Sequence, residues 1–160
     1  MVCTGNICRS PTAHGLLQHA LREAGLHDRV HVDSAGTHGY HVGEAPDPRS
    51  VATARSHGVD IATQRARKVA PADFERFDQI LAMDQGHLTI LQRLCPPGQR
   101  QRLELYLDYM PRFGRDVPDP YYGGPAGFET VWRICSAVTA ELVQEISERI
   151  ARQPGHPRTS

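Results

Sequence analysis

An α/β fold, with a parallel sheet covered by helices on both faces, is what the sequence predicts, and three observations predict it. Short stretches of strand character alternate with longer stretches of helical periodicity. One of the short stretches, Ile80-Leu81-Ala82-Met83, is apolar throughout, as a strand buried on both faces reads. The first strand end feeds straight into a helix start between Cys3 and Ser10, and ligands in such folds sit beyond the carboxyl ends of the strands.

The elements follow in order. Ser10-Pro11 reads as a hydroxyl N-cap with proline at the first helical position. Leu16, Leu17, Ala20, Leu21 and Ala24 then recur at helical spacing, and Gly25 closes the helix. "RVHVDSAG" alternates Val30 and Val32 with polar residues and predicts a strand. Asp47-Pro48 opens a second helix that runs to about His57, with Gly58 as its stop. After the apolar run, Leu88, Leu91 and Leu94 predict a third helix ended by Pro96-Pro97, and "QRLELYL" predicts another strand. The stretch from Tyr109 to Gly127, rich in Pro, Gly, Asp and Tyr, predicts a long surface loop. Phe128, Val131, Trp132, Cys135, Val138, Leu142, Ile146 and Ile150 trace one face of a long terminal helix. Residues 1–153 are expected to form a single domain and 154–160 a disordered tail.

The 18 Lys and Arg balance the 18 Asp and Glu, so the chain lacks the basic footprint of a nucleic-acid binder and any anion site must be local. Cys3, Cys8, Cys95 and Cys135 are too irregularly spaced for a disulfide scaffold. No apolar run approaches the roughly 20 residues of a membrane span, and the N-terminus has no room for a signal peptide. A cytoplasmic location with reduced thiols is expected.

The chemistry concentrates in "VCTGNICRSP". A helix N-terminus leaves amides unpaired and carries partial positive charge, so it binds anions. Gly5 and Asn6 can take positive φ and turn further amides inward, and Arg9 adds a fork that matches two phosphate oxygens. A Cys3 thiol in that field should ionise below the free value of about 8.5 and act as a nucleophile. Ser10 could hydrogen-bond its sulfur. Taken alone, Cys3 also reads as a core thiol, and the Cys-x4-Cys spacing begins some iron–sulfur motifs, although no third cysteine follows. Cys8 divides between packing and a redox role as disulfide partner of Cys3. Thiol attack on a phosphoester needs a proton donor for the leaving oxygen. Asp119, in "VPDPYYGG", is the candidate, although Asp-Pro is also a turn signal.

"VCTGNICRSP", "SAGT", "HVG", "PDPR", "MD" and "DPYYGG", in this order and spacing, resemble the low-molecular-weight protein tyrosine phosphatases over nearly the whole chain. The resemblance implies a three-layer fold: a central four-stranded parallel sheet flanked by helices, with a phosphate-binding loop between first strand and first helix. It implies hydrolysis of phosphotyrosine in protein substrates through a phosphocysteine, with no cofactor and no metal. Cys3 would be the nucleophile, Arg9 the phosphate clamp, and Asp119 the general acid and then base. Thr4, Gly5, Asn6, Ile7, Cys8, Arg9 and Ser10 would bind phosphate, with Asn6 keeping the loop's strained shape. Ile7, Tyr40, Tyr121 and Tyr122 would hold the substrate ring, although Tyr40 stands where many relatives carry Trp and also reads as loop packing. Ile7 with the paired tyrosines favours phosphotyrosine over the phosphoarginine of a related branch. An arsenate reductase on the same fold would need a downstream cysteine pair, which Cys95 and Cys135 do not supply. A phosphotyrosine-binding module without turnover is the remaining reading. A monomer is expected.

Three positions depart from the family pattern. Gln64 stands where mammalian members carry a histidine that supports the loop's serine and asparagine network. His14 lies where Glu is common on the first helix and reads as a surface change. Only Met1 and Val2 precede Cys3, where the family has several apolar residues of the central strand. The sheet is therefore expected to lose much of a buried strand and the support beneath Cys3, and an upstream start would account for it.

Overall fold

The computed structural model describes residues 1–153; the expected tail at 154–160 lies outside them. Four short strands, β1 (Val2–Cys3), β2 (Ala35–Gly36), β3 (Ile80–Ala82) and β4 (Leu103–Leu105), form one sheet in the order β2-β1-β3-β4, all neighbours parallel. The helices are α1 (Arg9–Glu23), α2 (Pro48–Ser56), α3 (Asp73–Arg76), α4 (Gln85–Leu94) and α5 (Pro125–Arg152). No helix of the described residues is long and apolar enough to cross a membrane.

Strand alternation divides the interior into two cores. Cys3 and Leu81 point to one face and join Leu17 of α1 and Val138 of α5. Val2, Ile80, Ala82 and Leu105 point to the other and join Phe74 of α3 and Leu91 of α4. Two helical layers thus enclose the sheet, and the apolar run at β3 is apolar because both of its faces are covered. The α/β architecture predicted from the sequence is the one observed.

Several local expectations change. Helix α1 begins at Arg9, with Cys8 at its cap and no side-chain cap bond. Ser10 is therefore inside the first turn, where Pro11 is still tolerated because its missing N–H would have no helical partner. The predicted strand around Val30–Val32 shrinks to Ala35–Gly36. Beside it, the Met1 carbonyl accepts from Ala35 N and the Met1 amine donates to Asp33 O. Short as it is, β1 stays central: Val2 pairs with Ala35 and Ala82, Cys3 with Gly36. Val2 and Cys3 are both buried, so flanking strands supply the support that the brevity of β1 put in doubt.

Helix α3 was not anticipated. "QRLELYL" gives β4 and then curls into a 3₁₀ turn at Tyr106–Tyr109. The long segment after it is pinned in the middle: Val117 is buried, and its amide donates to Met83 O at 2.8 Å. The second helix behaves as read, with Asp47 Oδ1 accepting from the Arg49 amide at 2.8 Å.

Candidate active site

Between β1 and α1 the chain turns through Thr4–Cys8 at the carboxyl end of the central strand. Four carbonyls from Cys3 to Cys8 are tied outward: Cys3 O accepts from Thr37 N, Thr4 O from His38 N, Ile7 O from Asp47 N, and Cys8 O from the Thr12 hydroxyl. None of the amides of residues 4–9 donates a hydrogen bond among the described residues. They are left as free donors next to the N-terminus of a 15-residue helix, an arrangement able to receive an anion.

Asn6 sustains the turn with φ +58°, the one positive φ at a non-glycine among the described residues. Its side chain holds it there: Oδ1 accepts from Arg67 N (3.0 Å), while Nδ2 donates to Ser10 Oγ (2.8 Å) and Ser34 Oγ (3.0 Å). Gly5 does not take a positive φ. A Cβ there would lie 2.9 Å from the His41 ring, which would have to shift to admit it. Ser10, fully buried, reaches Cys3 Sγ at 3.0 Å instead of capping the helix.

Arg9 is buried, and four groups orient its guanidinium. Nη1 donates to Asp84 Oδ2 (2.9 Å) and Val117 O (3.1 Å); Nη2 lies 3.5 Å from both Thr4 Oγ1 and Asp119 Oδ2. Asp84 also caps α4, its Oδ1 accepting from His87 N at 2.9 Å. Burial opposes its ionisation, but the His87 amide and the Arg9 charge outweigh burial and hold the carboxyl below its usual range. Asp119 is partly exposed, and its Oδ1 accepts from Tyr121 N at 3.1 Å.

A cavity of about 220 Å³ collects Cys3, Thr4, Gly5, Ile7, Cys8 and Arg9 at its base and Tyr40, Asp119, Tyr121 and Tyr122 at its mouth. Asn6 and Ser10 stand behind it, on the hydrogen bonds just described. Tyr40 is 71 % exposed and stacks on His38, while Tyr121 and Tyr122 meet edge to face. All four cysteines are free thiols. Burial, with the Asp47 carboxylate adding to it, pushes the Cys8 thiol up to about 12.

Sequence reasoning missed several residues. His41 lines the cavity. His87 Nε2 meets Thr4 Oγ1 at 2.8 Å, and burial, opposed by Asp84, pushes its pKa down to about 4. Gly36 lets β2 approach the loop: a Cβ would sit 2.6 Å from Thr4 O. His14, read as a surface change, is buried and its Nδ1 lies 3.0 Å from Ser34 Oγ. It turns inward because α1 is pressed close to the segment after α2; a Cβ on Gly15 would be 2.3 Å from the Ile61 side chain. Gln64 Nε2 donates to Pro11 O at 3.0 Å, and its side chain also hydrogen-bonds His14. A glycine within a strand signals close backbone approach, so Gly36 was findable; the histidines carried no local signal.

A family model described as low molecular weight phosphotyrosine protein phosphatase matches residues 1–152. The chain is 40% identical over 153 residues to the low molecular weight protein-tyrosine-phosphatase of Streptomyces coelicolor, covering 93% of each. It is 38% identical over 147 residues to the low molecular weight phosphotyrosine protein phosphatase of Sus scrofa, covering 91% of this chain and 92% of that one. Among solved structures, a protein tyrosine phosphatase from Entamoeba histolytica superposes with a TM-score of 0.88 at 35% identity, covering 93% of this chain and 96% of that one. With its anion loop, buried arginine and sheet order beside these matches, the chain belongs to the low molecular weight phosphotyrosine protein phosphatase family.

Proposed function

We propose that the chain hydrolyses phosphotyrosine in protein substrates through a phosphocysteine. The Cys3 thiolate attacks phosphorus as the bond from phosphorus to the phenolic oxygen breaks, and Asp119 gives its proton to that oxygen. Water then attacks phosphorus, Asp119 takes the proton, and the thiolate leaves. Arg9 and the amides of residues 4–10 hold the phosphoryl oxygens, supplying the charge stabilisation that a cation gives elsewhere, so the steps call for no metal or cofactor. The phenyl ring lies between Tyr40 and Tyr121, with Ile7 at the wall. Residues 1–153 act as one domain, monomeric and cytoplasmic, and Cys8 is the candidate redox partner of Cys3.

The observation that carries this reading is the shared cavity: sulfur, guanidinium and carboxylate line one space of about 220 Å³, with Asp119 3.5 Å from Arg9. Cys3→Ser should abolish turnover of p-nitrophenyl phosphate while phosphate still binds. Asp119→Asn should slow turnover by about 10²–10⁴-fold, more for phenyl phosphate, whose leaving group needs the proton, than for p-nitrophenyl phosphate. Wild-type activity in either variant overturns the mechanism.

A further inference from the structure

Behind Cys3 a chain of hydrogen bonds runs inward and ends on a histidine. Its links are Cys3 Sγ to Ser10 Oγ (3.0 Å), Ser10 Oγ to Asn6 Nδ2 (2.8 Å), Asn6 Nδ2 to Ser34 Oγ (3.0 Å), and Ser34 Oγ to His14 Nδ1 (3.0 Å). Cys3, Ser10, Asn6, Ser34 and His14 are all buried, so water cannot take the place of a missing partner.

The direction of each bond follows from the donor inventory. Asn6 Oδ1 accepts from Arg67 N, which fixes the amide and leaves Nδ2 with two protons and nothing to accept. Both hydroxyls that it meets must therefore accept from it. Each has one proton left. For Ser10 the acceptors are Cys3 Sγ at 3.0 Å and, more distant, Ala35 O at 3.5 Å. For Ser34 the acceptor is His14 Nδ1. We infer that His14 is a positioning residue for the nucleophile: by accepting the Ser34 proton it keeps Ser34 Oγ as an acceptor for Asn6, and so keeps the Ser10 proton aimed at Cys3 Sγ.

This requires a neutral ring with its proton on Nε2. Burial lowers the pKa of His14 to about 4; the Met1 ammonium and His31 push the same way, while Asp33 and the hydrogen bond to Gln64 oppose but do not outweigh them. The ring is uncharged at neutral pH. Were it protonated, Nδ1 would donate to Ser34, whose own proton would then point at another donor in a buried site, a cost large enough to swing Ser34 or Asn6 away. In the phosphocysteine reading, on which the inference rests, the Ser10 bond strengthens whenever the sulfur carries charge, as nucleophile and again as leaving group.

The test follows Cys3 alkylation by iodoacetate across pH in the full chain, beside turnover of p-nitrophenyl phosphate. His14→Phe removes the acceptor at similar bulk; the alkylation profile should move about half a pH unit or more to higher pH, with kcat falling about three- to tenfold. His14→Gln, which keeps an acceptor, should recover most of both. Ser34→Ala should move the profile in the same direction, and adding His14→Phe to it should add nothing. A profile left in place by His14→Phe, or an undiminished effect of His14→Phe without Ser34, overturns the inference. Should His14→Phe not fold, Ser34→Ala decides it, since that change removes one oxygen and an unmoved profile leaves no relay. Alkylation reads the thiol itself, so it judges the relay even if Cys3→Ser retained turnover and removed the mechanism above.

Discussion

At the scale of single residues, the anion loop is set by contacts between backbones. The Asn6 turn with φ +58° brings the loop against β2, where Gly36 N is bonded to Arg67 O and Gly36 O accepts from Val69. A Cβ on Gly36 would meet Thr4 O at 2.6 Å, His38 O at 3.0 Å and Asn6 N at 3.2 Å. These are main-chain atoms, Thr4 O among them held by the His38 amide, and they cannot swing aside as a side-chain tip would. Gly36→Ala should therefore cost about 1–3 kcal/mol by overpacking and weaken phosphate binding at least severalfold. Urea unfolding and phosphate protection of Cys3 from iodoacetate read the two effects. Unchanged protection would show that the loop absorbs the methyl group. Cys3, Arg9 and Asp119, which line one cavity, stood out in the sequence because their side chains have chemistry that few other roles require. "SAGT" was recognisable only as part of a pattern, because what Gly36 provides is the absence of an atom facing a residue 32 positions away.

At the scale of elements, the site depends on helix ends meeting each other. Asp84 serves two elements: Oδ1 caps α4 and Oδ2 anchors Arg9 at the start of α1. The two roles separate by substitution. Asp84→Asn keeps a good cap and loses the charge; Asp84→Ala loses both. Asp84→Ala should be less stable than Asp84→Asn by about 1 kcal/mol, yet both should lose turnover alike, about tenfold or more, as the buried guanidinium loses its counter-charge. Wild-type turnover in Asp84→Asn would show that Arg9 needs the hydrogen bond and not the charge. Element identity was read well where the signal was local: the Asp47 cap, the apolar β3 and the face of α5. It was read less well where partners decide. Val30 and Val32 have the alternation of a strand, but no ladder bond reaches them among the described residues, and alternation alone forms no hydrogen bonds. Ser10 had the composition of an N-cap, but Cys3 claimed its hydroxyl.

At the scale of the whole molecule, two buried neutral histidines brace the loop from opposite flanks, His14 through Ser34 and His87 through Thr4, and both link folding to pH. An unfolded histidine binds a proton near 6.5, while burial lowers both of these to about 4. Between those values the unfolded chain holds more protons, so stability falls as pH drops, by at most about 1.4 kcal/mol per pH unit for each histidine. The carboxylates act later. Asp73 and Asp84 are held below their ordinary range, burial opposing but outweighed by Arg67 and the Ala70 amide for the first and by the His87 amide and Arg9 for the second. Their stabilisation is present above about 4 and is lost below it. Acid unfolding should therefore come in two stages, a steady decline from about pH 6.5 to 4 set by the histidines and a further loss beneath it set by the ion pairs. Urea midpoints at pH 7, 5.5 and 4.5 measure the first stage, and His14→Gln should flatten it by about half. A midpoint unchanged between pH 7 and 4.5 would mean that neither ring is buried uncharged, because a neutral histidine sealed from water cannot fold without releasing the proton that its unfolded form binds in that range.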